Sequence, residues 1–277
     1  MRFKIAFRTL IFLTVSLCFT CSLMNAGAFA LSASIDKPRV EITAPAGTTN
    51  SGFINVRNKG QSPISVQATI EDWIYDENNK RQFRPPGSTS YSCAEWIFIT
   101  PQNATIPPGG NLDFNYNIKI PEDAEGGKYA VMFFESSGVE DPAFEGMGVK
   151  LVGRIGSMVY LEIEGRTKKE GSIQSLKLTP PHENKPLTLT YTFKNEGNAF
   201  IGFKSILNIL NKEGVTIGFA ESEKGKGTLP GDAREDSIKW FGSITKGKYD
   251  VILTVDMGED VPPIVRQETI EIKEDIL

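Results

Sequence analysis

The sequence predicts an all-β fold of two antiparallel sandwiches in tandem. Three observations predict it. First, three landmarks occur twice, in the same order: an asparagine turn (Arg57-Asn58-Lys59-Gly60, then Lys194-Asn195-Glu196-Gly197), a proline-glycine turn (Thr105-Ile106-Pro107-Pro108-Gly109, then Thr228-Leu229-Pro230-Gly231) and a strand start (Gly127-Lys128-Tyr129, then Gly247-Lys248-Tyr249). Second, apolar residues alternate with polar ones around these landmarks. Leu112, Phe114, Tyr116, Ile118 and Ile120 alternate with Asp113, Asn115, Asn117 and Lys119, and Leu187, Leu189, Tyr191 and Phe193 alternate with threonines. Period two puts one face in a core and the other in water. Third, Pro and Gly fall between these runs, and no persuasive helical stripe of ten or more residues interrupts them.

The elements follow in chain order. Residues 1–30 read as a signal peptide. Arg2, Lys4 and Arg8 open it, Thr9 to Met24 is uncharged and apolar, and Ala28-Phe29-Ala30 is a small-x-small cleavage site, with Ala26-Gly27-Ala28 a second one. The apolar run is short for a spanning helix, which needs roughly 20 residues. The first module covers 33–164, with strands at Ser34–Ile42, Gly52–Asn58, Ile64–Tyr75, Ala94–Ile99, Asn111–Ile120, Lys128–Ser136 and Val149–Ile163. A charged, glycine-bounded linker, 165–171, permits domain motion unless an interface opposes it. The second module covers 172–277, with strands at Ser172–Leu178, Leu187–Phe193, Ile201–Leu210, Val215–Glu221, Asp236–Phe241, Lys248–Val255 and Val265–Ile272. Seven short antiparallel strands in about 100 residues is the immunoglobulin-like pattern. Tyr129 and Tyr249 stand where that fold places a corner tyrosine, whose hydroxyl bonds back to its own chain. The first two landmarks lie 51 residues apart in the first module (58 to 109) and 36 in the second (195 to 231), so the first carries an insertion.

Composition narrows the function. Cleavage of the leader removes three of the 30 basic residues and none of the 34 acidic ones, moving the net charge from −4 to −7. That disfavours nucleic acid, which needs clustered Lys and Arg, and simple adsorption to anionic lipid. Cys93 alone remains, so the mature chain has no intrachain disulfide and each module is held by its core. The one histidine, His182, lies in a turn-rich loop with no nucleophile placed beside it, which argues against an enzyme. One histidine and one cysteine supply no zinc site, and no glycine-rich phosphate loop with its lysine occurs. Asp76-Glu77-Asn78-Asn79 and Asp256-Met257-Gly258-Glu259-Asp260 are oxygen-rich loops of the kind calcium uses, yet Asp and Asn also close turns on their own backbone. Neither has the spacing of a known calcium loop, so no metal and no cofactor are expected.

The first module resembles the amino-terminal domain of periplasmic pilus-assembly chaperones. Ile35-Asp36-Lys37-Pro38-Arg39-Val40 looks like that family's first strand with its arginine, and Ile54-Asn55-Val56-Arg57-Asn58 like its second strand ending in asparagine. Trp73-Ile74-Tyr75-Asp76-Glu77-Asn78-Asn79 is similar to its third strand and hairpin. Phe98-Ile99-Thr100-Pro101 with Ile106-Pro107-Pro108-Gly109 resembles the stretch before its fifth strand, and Arg154-Ile155-Gly156-Ser157-Met158-Val159-Tyr160 falls where its last strand carries a basic residue. The second module is similar to generic adhesion-type sandwich repeats of bacterial surface proteins. The tandem pairing also resembles Gram-positive surface proteins that bind cell-wall proteins.

The resemblance implies strand donation. Val149, Leu151 and Ile155 would be the apolar donors, and Arg39 and Arg154 the anchors for a partner's terminal carboxylate. Gly153 and Gly156 interrupt that strand, and strand glycine weakens pairing. Trp73 and Trp96, in the insertion, either close a core or present aromatic recognition residues. The resulting expectation is a non-enzymatic, exported, chaperone-like protein in the periplasm or at the cell surface. It would bind a pilus-like or surface subunit by strand addition, with no nucleic acid, no small-molecule cofactor and no membrane span once processed. The alternative is a structural or adhesive cell-surface protein without chaperone activity.

Overall fold

The computed structural model describes residues 33–138, 152–182, 185–223, 225–258 and 261–275. The expected signal peptide lies outside the described residues. No helix of the described residues is long and apolar enough to cross a membrane.

The first sandwich uses two sheets. One has the order β1 (Ala33–Ile35), β3 (Thr49–Asn58), β8 (Asn111–Lys119), β6 (Ile97–Thr100). The other has the order β2 (Arg39–Ala44), β10 (Val152–Ile163), β9 (Gly127–Gly138), β4 (Ile64–Tyr75), β5 (Arg81–Arg84), with β7 (Asn103–Ile106) also on β4. All pairings are antiparallel except β2 with β10, which is parallel from Arg39 opposite Met158 to Ala44 opposite Ile163. Between the sheets lie the inward halves of the alternating runs: Ile54 and Val56, Ile64 and Val66, Phe114 and Ile118, Met132 and Phe134, Val159 and Leu161.

Three sequence expectations are corrected here. The strand expected over Ser34–Ile42 breaks at Asp36–Pro38: β1 pairs with β3 in one sheet, and β2 crosses to β10 in the other. Pro38 has no N–H for a ladder, and its carbonyl accepts the Met158 N–H at 3.0 Å. The strand expected from Ala94 begins with a 3₁₀ turn, Ala94–Trp96, before β6. Two short strands are additional to those expected: β7, and β5, the return strand of the hairpin expected after Tyr75.

The second sandwich pairs β11 (Gly171–Thr179), β12 (Leu187–Asn195) and β16 (Ala233–Trp240) in one sheet. The other has the order β14 (Thr216–Glu221), β13 (Ile201–Leu210), β17 (Gly247–Asp256), β18 (Ile264–Ile272), with β15 (Lys226–Thr228) also on β13. Its core is separate, built on Leu189, Tyr191, Phe193, Leu207, Val251 and Leu253.

The repeated landmarks touch each other. The buried Asn58 amide donates to the carbonyls of Ser62 (2.8 Å), Ile106 (3.1 Å) and Pro107 (3.2 Å), while its oxygen accepts the Gly60 N–H at 2.8 Å. Asn195 does the same, donating to Ala199 (2.8 Å) and Thr228 (3.1 Å) and accepting from the Gly197 N–H at 3.0 Å. In both sandwiches one buried amide satisfies carbonyls that a turn would otherwise leave orphaned.

The joint is not loose. The Gly127 N–H donates to the Asn198 carbonyl at 2.7 Å and the Gly126 N–H to the Arg166 carbonyl at 3.1 Å. The Asn198 side chain accepts the Lys168 N–H at 2.6 Å and donates to the Arg166 carbonyl at 3.0 Å. A Cβ on Gly197 would strike the Glu170 backbone nitrogen at 2.9 Å, so glycine lets the linker lie against the second sandwich's asparagine turn. The linker is thus hydrogen-bonded on both sides, and the freedom of motion its composition suggests is opposed.

Candidate functional site

The first feature is an open edge. β10 pairs with β9 along its whole described length, from Val152 opposite Ser137 to Glu162 opposite Gly127. Its other side pairs with β2 only from Met158 onward. Among the described residues no strand pairs with that side over Val152–Gly156. The Met158 N–H points toward the β2 side, to Pro38, and backbone groups alternate sides along a strand. The free N–H and C=O groups are therefore those of Val152, Arg154 and Gly156. Such a row is a template for another chain.

Val152 leaves this edge 58% exposed, whereas Ile155 points inward and packs against the core of the first sandwich. Val149 and Leu151, the other expected donors, lie outside the described residues. Gly156 does not break the strand. A Cβ there would meet both Phe133 and Val131 at 2.8 Å, so glycine makes room for side chains on the neighbouring β9.

Arg39 and Arg154 share one face of the sheet. Their neighbours Val40, Val159 and Ile155 point into the core, so both arginines point outward, toward Tyr160, Met158 and Phe133. The register sets Arg39 opposite Met158, which puts Arg154 four residues further along, roughly 13 Å at strand rise. They are not a pair. The Arg39 guanidinium lies 3.9 Å from the centre of the Tyr160 ring and pairs with Glu41 at 2.6 Å. The Arg154 guanidinium lies 3.4 Å from the centre of the Phe133 ring and is held between Glu71 and Glu135, the latter at 2.9 Å. Two carboxylates around one guanidinium neutralise it and repel a third.

The remaining predicted residues divide. Trp73 is 1% exposed, so of its two readings it is a packing residue and not a recognition one. It lies in a second apolar cluster on the outer face of β9 and β10, with Tyr129, Val131, Phe133, Met158 and Tyr160. Leu229 of the second sandwich completes that cluster, and Phe200 packs on it. This is why Tyr129 to Phe134 reads as a continuous apolar run: β9 is covered on both faces. Trp96 is partly buried against the main core. Cys93 is fully buried, and burial pushes its thiol well above the ordinary range.

The two corner tyrosines differ. Tyr249 donates to the Thr245 carbonyl at 3.0 Å, within its own sandwich, as a corner tyrosine does. The Tyr129 hydroxyl instead accepts the N–H of Phe200 from the second sandwich. The corner role expected for Tyr129 is corrected to a bridge between sandwiches.

Sequence reading missed Asp72. It is fully buried and accepts from Ser92 Oγ at 2.5 Å, from the Thr89 N–H at 3.0 Å and from Ser88 Oγ at 3.3 Å. It pins the long loop before the 3₁₀ turn to β4. The Asp76 carboxylate closes its own hairpin, accepting the N–H groups of Lys80 (2.8 Å) and Asn78 (2.9 Å) and the Gln82 side chain (3.0 Å). The Lys80 bond, then that of Gln82, hold its carboxyl below the usual range. Among the described residues no group of three His, Cys, Asp or Glu is placed to hold a metal. His182 exchanges backbone bonds with Lys185 in its loop.

Between the sandwiches lies a cavity of about 690 Å³. Arg39, Tyr75, Arg81 and Tyr160 line it from the first sandwich, and Phe200 and Lys226 from the second. Arg154 is not among its lining residues.

The chain is similar to several solved structures. One is the class 5 fimbriae chaperone CfaA, at 13% identity and a TM-score of 0.48, covering 86% of this chain and 99% of that one. Another is a chain of the CsuC–CsuE chaperone–tip adhesion subunit pre-assembly complex of Acinetobacter baumannii, at 12% identity and a TM-score of 0.43, covering 85% and 97%. A third is the Escherichia coli chaperone DraB, at 12% identity and a TM-score of 0.41, covering 88% and 98%. No protein-family model matches the chain, and no curated protein sequence matches it.

Proposed function

We propose that this chain is a non-enzymatic, exported binding protein of the chaperone-like kind, which engages a partner subunit by strand addition along β10. One observation carries the reading: β10 is paired on one side only at Val152–Gly156, and this open stretch ends near Arg39, which stands opposite Met158 and lines the inter-sandwich cavity. Backbone pairing supplies affinity in this mode, and side-chain pockets supply choice of partner. The partner would be a pilus-like or surface subunit in the periplasm, running beside Val152, Arg154 and Gly156. Arg39 would anchor its terminal carboxylate. Arg154, already neutralised by Glu71 and Glu135, would hold the edge rather than the partner's charge.

The test is capture from a periplasmic extract by the wild type, Val152→Pro and Arg39→Ala. Proline at an edge position removes one outward N–H and leaves the β9 ladder intact. Loss of the captured protein with Val152→Pro, in a variant that keeps the wild-type circular dichroism, supports strand addition. Undiminished capture by Val152→Pro rejects it.

A second reading, a structural or adhesive surface component, has its own observation. Val215, Ile217 and Phe219 are exposed side by side at the edge strand β14 of the second sandwich. Protease shaving of intact cells separates the two readings. Release of its peptides before any periplasmic marker favours the surface role.

A further inference from the structure

One ion pair lies inside a sandwich. Lys226 stands opposite Phe203 in the β13–β15 pairing, and Asp236 stands opposite Tyr191 in the β12–β16 pairing. Phe203 and Tyr191 belong to the core of the second sandwich. Opposite residues share a face of their sheet, so both charged side chains point between the two sheets. There the Lys226 ammonium meets Asp236 Oδ1. The lysine side chain is 16% exposed and the aspartate 7%, whereas every other ion pair among the described residues joins side chains at least 28% exposed. The second carboxylate oxygen is engaged as well. The buried Tyr191 hydroxyl donates to Asp236 Oδ2 at 2.9 Å and also meets Ser205 Oγ. An amine, a carboxyl group and a phenolic proton donor are therefore in mutual contact within an apolar core.

We propose that Lys226 and Asp236 condense to an intramolecular amide, a covalent link between the two sheets of the second sandwich, with the Tyr191 hydroxyl as proton relay. The ammonium first passes one proton to the carboxylate, a transfer favoured where burial makes two unsolvated charges costly. The neutral amine then attacks Asp236 Cγ, and a C–N bond forms. The nitrogen gives up a second proton, which Oδ2 takes through the Tyr191 hydroxyl. The C–O bond to Oδ2 breaks, and that oxygen leaves as water. One ammonium and one carboxylate become one amide and one water, with no oxidant, reductant or third reactant. Burial raises the Tyr191 phenol above its ordinary value, so it stays protonated at neutral pH. Lys226 lines the cavity between the sandwiches, which gives the water an exit. The link would close the segment from Lys226 to Asp236. That segment contains Leu229, which completes the apolar cluster of the first sandwich. An amide there fixes the part of the second sandwich that docks on the first, in a chain whose single cysteine after leader removal supplies no disulfide.

The experiment is mass spectrometry of the purified full chain, denatured and digested with trypsin. Amide formation removes the charge that trypsin reads at Lys226. The wild type should therefore give peptide 225–234 uncut after Lys226 and joined to peptide 235–239, the pair lighter by one water than the sum of its parts. Lys226→Arg keeps the charge and cannot condense, so it should be cut at position 226 and give two separate peptides of unaltered mass. Tyr191→Phe keeps the ring and removes the relay. General acid–base catalysis contributes about 10²–10⁴-fold, so this variant, with the wild-type circular dichroism, should be recovered largely unlinked. Separate wild-type peptides at full mass overturn the amide. Loss of water confined to peptide 235–239, with cleavage after Lys226 intact, is a succinimide at Asp236 and overturns the amide equally. A fully linked Tyr191→Phe overturns the relay and leaves the amide standing.

Discussion

The Tyr129 hydroxyl accepts the backbone N–H of Phe200, so a tyrosine from the first sandwich closes on the turn that opens a strand of the second. Tyr249, the same residue of the same repeated landmark, closes on Thr245 of its own chain segment. One motif therefore serves two ends. In the first sandwich it fixes the angle between the modules, and with it the walls of the cavity beside β10.

Tyr129→Phe keeps the ring and removes the bond. It leaves the Phe200 N–H without a partner, at a cost of about 1 kcal/mol. Calorimetry should show this variant unfolding in two resolved steps where the wild type unfolds in one. Tyr249→Phe should lower the stability of the second sandwich by a similar amount without separating the two.

Removing either buried asparagine should cost more. Asn58→Ala orphans the Gly60 N–H and the carbonyls of Ser62, Ile106 and Pro107. At about 1–3 kcal/mol for a buried unsatisfied group, each of Asn58→Ala and Asn195→Ala should lose about 2–4 kcal/mol in urea unfolding. Asp in place of Asn, which accepts but does not donate, should recover little.

High pH should destabilise the fold. Burial raises Tyr91 from 10.0 to about 12, and also raises Tyr116, Tyr129, Tyr160 and Tyr191. Above pH 10 the unfolded chain gives up phenolic protons that the folded chain retains. The unfolded state then binds fewer protons, and stability falls as pH rises. For Tyr91 the loss begins near pH 10 and is complete above about pH 12. Denaturant midpoints should be level with respect to these groups from pH 7 to 9 and drop steeply beyond. A flat profile to pH 12 would show that the phenols ionise freely in the folded state.

Gly156→Val should be far worse than its half-buried setting suggests. Its Cβ alone meets Phe133 and Val131 at 2.8 Å, so the outer aromatic cluster must move. Overpacking of this kind costs about 1–3 kcal/mol, readable as a shift in the thermal midpoint.

What was legible in the sequence is what period two and turn chemistry encode. The alternating runs around Phe114 and Leu189 gave the sheets, and Asn58 and Asn195 marked the turns, though not that their amides are buried. What stayed hidden depends on distant covering. Trp73 looks available in the sequence because nothing nearby shows that Leu229, from the other sandwich, completes its cluster. β5 has four exposed residues and no alternation, so only the turn before it, at Asp76–Asn79, marks it in the sequence. Asp72 looks like an ordinary polar strand position because its partners, Thr89 and Ser92, lie in the following loop. Arg154 stands where the resemblance implies a carboxylate anchor, and nothing local shows the carboxylates that β4 and β9 bring to it.

The central claim is that a partner chain adds to the free side of β10. Amide hydrogen exchange on the captured complex tests it most directly. The account predicts new protection at Val152, Arg154 and Gly156, with the β9-facing amides of Gly153 and Ile155 protected in the free and bound protein alike. Unchanged exchange at Val152, Arg154 and Gly156, with protection appearing instead along β14, would contradict it.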